Sequence, residues 1–304
     1  MSKPHVAVVG SSNTDMVIRS PRLPRPGESV VGGDFYMAAG GKGANQAVAA
    51  ARAGAKVTLI AKVGQDLFGD EAVAGFRREG IDCRWIARDP EAASGIALIL
   101  VDREGENLIS VALGANLRMA TTDVDRAADA IARAGALVVQ LEVPLAAVRR
   151  AVAIAHENGV PVILNPAPAP PRPLPKALLR RVDYLVLNET EMDVLAGSGD
   201  FAAAARLLDL GVGHVVLTRG KHGVAVLDDP TNPLLIPGHR VKSVDAVGAG
   251  DAFVGTFATF LAEGRPMAEA LALANAAAAL SVTRKGAQPS MPTRKQILSF
   301  PRPS

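Results

Sequence analysis

Cysteine is almost missing from this chain: Cys83 is the only one. No intrachain disulfide and no thiolate-ligated tetrahedral metal site can form, and a reducing compartment, the cytoplasm, suits it. Aromatic residues are scarce at 4%. The basic residues come as scattered pairs, Arg77–Arg78 and Arg149–Arg150, in a chain of net charge +3. Dense basic clusters interleaved with aromatics, the mark of a nucleic-acid surface, do not occur, so no nucleic-acid partner is expected. Long apolar runs are absent as well. The alanine-rich stretch Ala268–Val282 is broken by Glu269, Asn275 and Ser281, and the early run Val6–Val9 is too brief for a signal-peptide core. No membrane segment is expected. The five histidines do not cluster, and His156–Glu157 lacks the partner histidine of a zinc protease. Two phosphate-binding signatures also fail. Gly41–Lys42 is followed by Gly43 and Gly220–Lys221 by His222, so no Walker A loop exists, and Gly248–Ala249–Gly250 lacks the third glycine of a dinucleotide fingerprint.

What is present is an alternation of short apolar runs with helical patterns, in a chain whose 304 residues suffice for a large core. The runs Val6–Val9, Val57–Val63, Leu137–Leu141, Val160–Leu164, Tyr184–Leu187, Val215–Thr218 and Val224–Leu227 read as core strands. Helices are expected over Ala44–Ala53, Leu67–Glu79, Leu145–Glu157 and Phe201–Leu210. Continuously apolar strands separated by helices predict an α/β fold: one doubly wound, mainly parallel sheet with helices on both faces. Two segments, roughly residues 14–38 and 94–113, carry alternating patterns and no helix. They are expected to form hairpins, joined in the second case by Arg103–Glu104–Gly105, that make a small β lid inserted in a single domain, a plain surface excursion being the other reading.

The most informative stretch is Gly248–Ala249–Gly250–Asp251, placed where the apolar run Ala252–Leu261 begins a helix. The first amides of a helix are unpaired and suit an anion. A carboxylate beside them would repel a resting phosphate, but it makes sense if a phosphoryl group moves: Asp251 orients an acceptor hydroxyl while the amides hold the developing charge. An ordinary capped turn is the other reading. As a carboxylate at a helix N-terminus, Asp251 should stay ionised and be a weak base.

Other polar groups should gather at the same carboxyl edge of the sheet. Asn13, Thr14 and Asp15 follow the first strand; Gly40, Gly41, Lys42, Gly43, Ala44 and Asn45 open the first long helix; Glu142 ends another strand. Amides, carboxylates and glycine backbone together can grip several hydroxyls, although each residue alone could be a turn former, a cap or a solvated charge. Asn188 and Glu191 could steer Mg²⁺ and phosphate oxygens, or cap a helix. The loop Thr218, Arg219, Gly220, Lys221, His222, Gly223 could hold a nucleotide phosphate, or be a plain turn.

In this order, Asn13 with Asp15, the run Gly40–Gln46, Asn188–Glu191, Gly248–Asp251 and Thr283–Ser290 resemble the PfkB family of carbohydrate kinases over nearly the whole chain. Gly40–Gln46 and Thr283–Ser290 look most like the ribose-specific branch. The resemblance implies ATP-dependent phosphorylation of D-ribose at its 5-hydroxyl. It implies sugar contacts at Asn13, Thr14, Asp15, Gly41, Lys42, Gly43, Ala44, Asn45 and Glu142, and Asp251 as base beside an anion hole of Gly248, Ala249 and Gly250. Nucleotide positions fall at Asn188, Thr218–Gly223 and Asn275, with Glu191 helping to place Mg²⁺. It further implies K⁺ held by Asp245, Val247, Ser281, Arg284, Gly286 and Ser290, several through backbone carbonyls, and a homodimer formed through the lid. Ala252 and Val254 depart from the usual Thr and Asn after the aspartate, and Asn275 stands where a histidine can occur. Nucleotide preference and fine sugar selectivity are left open by these changes. The competing readings are a kinase for deoxyribose, fructose or a nucleoside such as adenosine, a sugar-binding regulator without catalysis, and a sugar oxidoreductase, the last disfavoured by the missing dinucleotide fingerprint.

Overall fold

A computed structural model describes residues 3–229 and 231–301. Its strands are β1 (His5–Val9), β2 (Asn13–Arg19), β3 (Asp34–Gly40), β4 (Lys56–Gly64), β5 (Ile86–Asp89), β6 (Gly95–Val101), β7 (Asn107–Ala112), β8 (Ala136–Val139), β9 (Val162–Leu164), β10 (Tyr184–Asn188), β11 (His214–Thr218), β12 (Val224–Leu227) and β13 (Leu234–Ile236). Nine of them form one sheet in the order β13-β12-β11-β10-β9-β8-β1-β4-β5. Pairing is parallel from β5 to β11, and β12 and β13 add an antiparallel edge. The chain winds outward from β1 through β4 and β5, then returns to the other side of β1 and winds through β8, β9, β10 and β11. That reversal between β1 and β8 is the switch point at which an open α/β sheet forms its crevice.

The strands are continuously apolar because both faces are covered. Val6 and Val8 point into a cluster with the helices Lys42–Ala53, Ala249–Ala262 and Met267–Ser281. Ala7 and Val9 point into a second cluster with the helix Leu145–Glu157. Helix Ala249–Ala262 buries nearly its whole first three turns, and Phe253, Phe257 and Phe260 each contribute about 1.5–3 kcal/mol by burial.

Strand limits differ from the sequence reading where side chains cannot report hydrogen bonds. β8 ends at Val139, two residues before Leu141, and β9 begins only after Pro161. The short edge strands β5 and β13 carry too few residues for a period to show.

The second sheet has the order β3-β2-β6-β7. β6 and β7 are a hairpin whose turn is closed by Asp102, which accepts from the amides of Glu104 and Glu106, with Gly105 at φ +90°. β2 and β3 pair antiparallel across a longer connection, and β2 runs parallel to β6, so the two hairpin-like units make one sheet. On one face Met16, Ile18, Phe35, Met37, Leu98 and Leu108 align by register, and most of them are exposed. Asp15 lies on the other face.

Candidate active site

Two helices begin with glycine at the carboxyl edge of the large sheet, and their first amides behave differently. In Lys42–Ala53 every early donor is spent: Lys42 N on Glu142 Oε2 (3.0 Å), Gly43 N on Ser11 Oγ (3.4 Å), Ala44 N on Ser11 O (2.8 Å) and Asn45 N on Gly41 O (2.9 Å). Gly43 and Ala44 are buried, and a Cβ on Gly43 would lie 2.6 Å from Gly10 C. These two residues therefore act beneath the site, holding the helix against the loop after β1. At the helix Ala249–Ala262 the amides of Gly250 and Asp251 have no acceptor among the described residues. Gly248, at φ +79°, turns the chain into this helix, and a Cβ there would come within 2.9 Å of Ala287 Cα. The amide of Ala249, expected to share in the anion hole, is spent on Ala246 O at 3.2 Å, so the free anion-binding amides are those of Gly250 and Asp251.

Asp251 is 8% exposed. Its Oδ2 accepts from Asn45 Nδ2 and its Oδ1 from Gln46 Nε2, both at 2.9 Å. Burial pushes the carboxyl above its ordinary value, while the Lys42 ammonium and the two amide donors pull it back. Its basicity is therefore greater than its place at a helix terminus suggested, because desolvation outweighs the Lys42 charge and the two amide donors. Gln46 and its fully buried partner Gln140 were not foreseen as parts of the site.

Around Asp251 stand Asp15, Glu142 and Asn13. Asp15 lies over Gly40, where a Cβ would come 2.3 Å from its Oδ1. Its carboxyl is pushed up to about 6, first by burial and then by the charges of Glu142 and Asp251. Glu142 accepts from Ser11 Oγ as well as from Lys42 N. The Asn13 side-chain oxygen accepts from Asn116 Nδ2 at 2.8 Å, which leaves its own amide hydrogens as donors. Asn116 is fully buried and also bonds Ser12 and Leu113, so it fixes the loop after β1. Sequence periodicity gave no sign of it. Gly41 adopts φ +90° against the backbone of Ser12 and Asn13. Thr14 faces away from Asp15, toward a groove shared with Met37 and Gln288. The three carboxylates of Asp15, Glu142 and Asp251 make a cluster rich in acceptors, suited to a neutral polyol and hostile to an anionic sugar.

Beyond Asp251 a cavity of about 180 Å³ is lined by Lys42, Asn165, Asn188, Glu191, Thr218 and Gly248–Asp251, among others. Asn188 and Glu191 cap the helix Glu189–Ala196 reciprocally, Asn188 Oδ1 accepting from Glu191 N and Glu191 Oε2 from Asn188 N. Capping and crevice lining coexist here. Burial raises the Glu191 carboxyl, and the Lys42 charge lowers it. Of the loop after β11, Thr218 reaches this cavity; Arg219 stacks on Phe201, and Gly220, Lys221 and His222 are exposed in a short turn closed at Gly223. Asn275 is buried, with its amide donating to Pro237 O, so it anchors the segment after β13.

Asp245 joins two loops: its Oδ1 accepts from Val247 N (3.0 Å) and its Oδ2 from Gly286 N (2.9 Å). The hydroxyls of Ser281 and Ser290 are spent on Ala278 O and Ala287 O. Arg284 is exposed. This leaves backbone carbonyls and one carboxylate, a donor set of oxygen with a single charge that fits a large monovalent cation rather than a transition metal. No group of three or more histidine, cysteine or carboxylate side chains that could hold a metal occurs among the described residues, and no described helix is long and apolar enough to cross a membrane.

The chain is similar to known proteins over nearly their full length. The chain is 42% identical to a ribokinase of Haemophilus influenzae over 97% of both chains. It is 37% identical to a deoxyribokinase of Salmonella typhi over 97% of this chain and 98% of that one. Among solved structures it superposes on Arabidopsis thaliana ribokinase complexed with ribose and ATP with a TM-score of 0.90 and 32% identity, covering 99% of each chain. A nine-stranded sheet with a four-stranded sheet beside its switch point, a buried aspartate at unpaired helix amides and a family match over residues 3–294 lead to one conclusion: the chain belongs to the pfkB family of carbohydrate kinases.

Proposed function

We propose that this chain transfers the γ-phosphoryl group of ATP to the 5-hydroxyl of D-ribose. The observation that carries the reading is Asp251, a buried carboxylate between an acceptor-rich cluster and the unpaired amides of its own helix. The sugar binds with its hydroxyls on Asp15, Asn13 and Glu142. Asp251 accepts from the terminal hydroxyl and takes its proton as the bond to phosphorus forms. The amides of Gly250 and Asp251 hold the negative charge that grows on the transferred group, and Lys42 supports it. The nucleotide lies along the crevice of Asn188, Glu191 and Thr218.

The free oxygen of Glu191 and the carbonyls between Asp245 and Ser290 fit the divalent and monovalent cations of such a reaction. When bound, Mg²⁺ would neutralise phosphate charge near Glu191, and K⁺ would brace the loops that carry the anion hole. The four-stranded sheet serves as a lid over the sugar. Its outer apolar face, with Phe35, Leu98 and Leu108 half or more exposed, is the surface for a homodimer. Leu98→Glu should turn the dimer into monomers in sedimentation; an unchanged sedimentation coefficient would remove the lid from the interface.

The 37% identity to a deoxyribokinase makes 2-deoxy-D-ribose the second substrate to test. Sites that hydrogen-bond a hydroxyl discriminate strongly against its loss. Initial rates with ATP and each sugar should give a kcat/KM for ribose at least about tenfold above that for 2-deoxyribose. A reversed ratio would move the assignment to deoxyribose.

A further inference from the structure

Gln46 lies behind Asp251 at the buried end of the site and is completely inaccessible. Each hydrogen of its carboxamide is assigned: Nε2 donates to Asp251 Oδ1 at 2.9 Å and to Asn165 Oδ1 at 3.1 Å. Its Oε1 accepts from Nε2 of Gln140, which is also wholly buried. Asn165 is turned in its place by donating to Val186 O. With acceptors on one side and a donor on the other, the Gln46 amide has a single orientation that satisfies its neighbours. Gln140 fits only because residue 10 is glycine, since a Cβ there would come 2.0 Å from Gln140 Oε1.

Sequestering four polar side chains, Gln46, Gln140, Asn165 and Asp251, between two helices and two strand ends is costly unless they bond one another, and among these four only Gln140 Oε1 is left without a partner. Packing alone would be better served by apolar residues, as in most of the interface between Lys42–Ala53 and Ala249–Ala262. The feature the polar chain serves is the Asp251 carboxylate. Asn45 and Gln46 are consecutive on one helix and grip different oxygens of it, which fixes both its position and the rotation of its plane. Oδ1 is turned inward onto Gln46. Oδ2 is held by Asn45, which is 6% exposed where Gln46 is fully buried, and this leaves Oδ2 as the carboxylate oxygen with the more accessible partner.

We infer that Gln46 is a positioning residue for phosphoryl transfer, holding the Asp251 carboxylate through Oδ1 so that Oδ2 meets the acceptor hydroxyl, with Gln140 and Asn165 locking its amide in that orientation. The inference rests on the proposed role of Asp251 as base. Donation to Oδ1 also favours the ionised carboxylate against the burial that opposes it. Gln46 should thus matter to kcat and to its pH dependence, and little to ground-state binding.

The test is Gln46→Met, which keeps length and volume and removes both donors. The expected result is a kcat lower by about ten- to a hundredfold, the worth of a hydrogen bond to a charged group. KM for ribose and for ATP should stay within about twofold, and the acid limb of the kcat–pH profile should move up by roughly one unit. A merely structural residue would not move that limb. If Gln46→Met does not fold, Gln140→Met carries the test, with a smaller loss of kcat and a limb displaced the same way. Unchanged kcat, or a loss with an unmoved acid limb, overturns the proposal. Asp251→Asn, measured alongside, separates the two levels: near wild-type turnover there would remove the base itself, whereas a dead Asp251→Asn with an unaffected Gln46→Met would remove only the role of Gln46.

Discussion

Gly255 lies so close to Gln46 that a Cβ on it would stand 2.3 Å from the Gln46 carbonyl oxygen. The missing side chain lets the helices Lys42–Ala53 and Ala249–Ala262 approach backbone to backbone, and Thr259 Oγ1 bonds Ala50 O across the same contact. That approach brings Asn45 and Gln46 within reach of Asp251. Gly255→Ala should therefore destabilise the fold by about 1–3 kcal/mol through overpacking, and lower kcat more than either KM. Urea unfolding with parallel kinetics checks this; an unaltered midpoint and kcat would mean that the helices have slack.

Asp15 should make sugar binding sensitive to pH. Its carboxyl is raised to about 6, so the native state holds its proton more tightly than the unfolded chain does. The sign for stability follows: this group stabilises the fold below its ordinary pKa, and the contribution is lost as pH rises through about 6. Sugar binding runs the other way, because the acceptor form exists above that value. KM for ribose should rise as pH falls below about 6, by up to about tenfold per unit, with kcat following Asp251 separately. Asp15→Asn should raise KM and flatten its pH dependence. A wild-type KM constant from pH 5 to 8 would show that Asp15 does not carry the sugar.

The sheet and most of its strands were legible because continuous apolar runs such as Val6–Val9 have one simple explanation, burial on both faces. The edge strands β5 and β13 were not, being too short to show a period. Asp251 and the glycines before it were legible because a carboxylate at a glycine-rich helix start needs a reason. The family resemblance implies sugar contacts at Gly43 and Ala44, yet they are buried and their amides are spent on Ser11. Sequence can locate a glycine-rich helix start, but cannot tell whether its amides are already satisfied. Thr14 was grouped with Asp15 although strand alternation sends the two to opposite faces. Gln46, Gln140 and Asn116 escaped because isolated buried amides leave no pattern in a sequence. Their partners are distant in the chain, as Gln46 and Asp251 show.

Asp245 offers a test of the cation. Asp245→Ala removes two bonds, to Val247 N and Gly286 N, and with them the tie between the loops on either side of the anion hole. Wild-type rates should rise with KCl at constant ionic strength and rise less with NaCl, while the variant should be slower and nearly indifferent to either. Equal wild-type rates in K⁺, Na⁺ and an organic cation would exclude activation through this site.

The most direct measurement of the central claim compares wild type with Asp251→Asn, following ribose binding by calorimetry and product by phosphorus NMR. The account predicts that wild type converts ATP and D-ribose to ADP and D-ribose 5-phosphate. The variant should bind ribose with similar affinity and turn over at least about a hundredfold more slowly. A variant that phosphorylates ribose at near wild-type rate, or a wild type that binds ribose without transferring phosphate to it, would contradict the account.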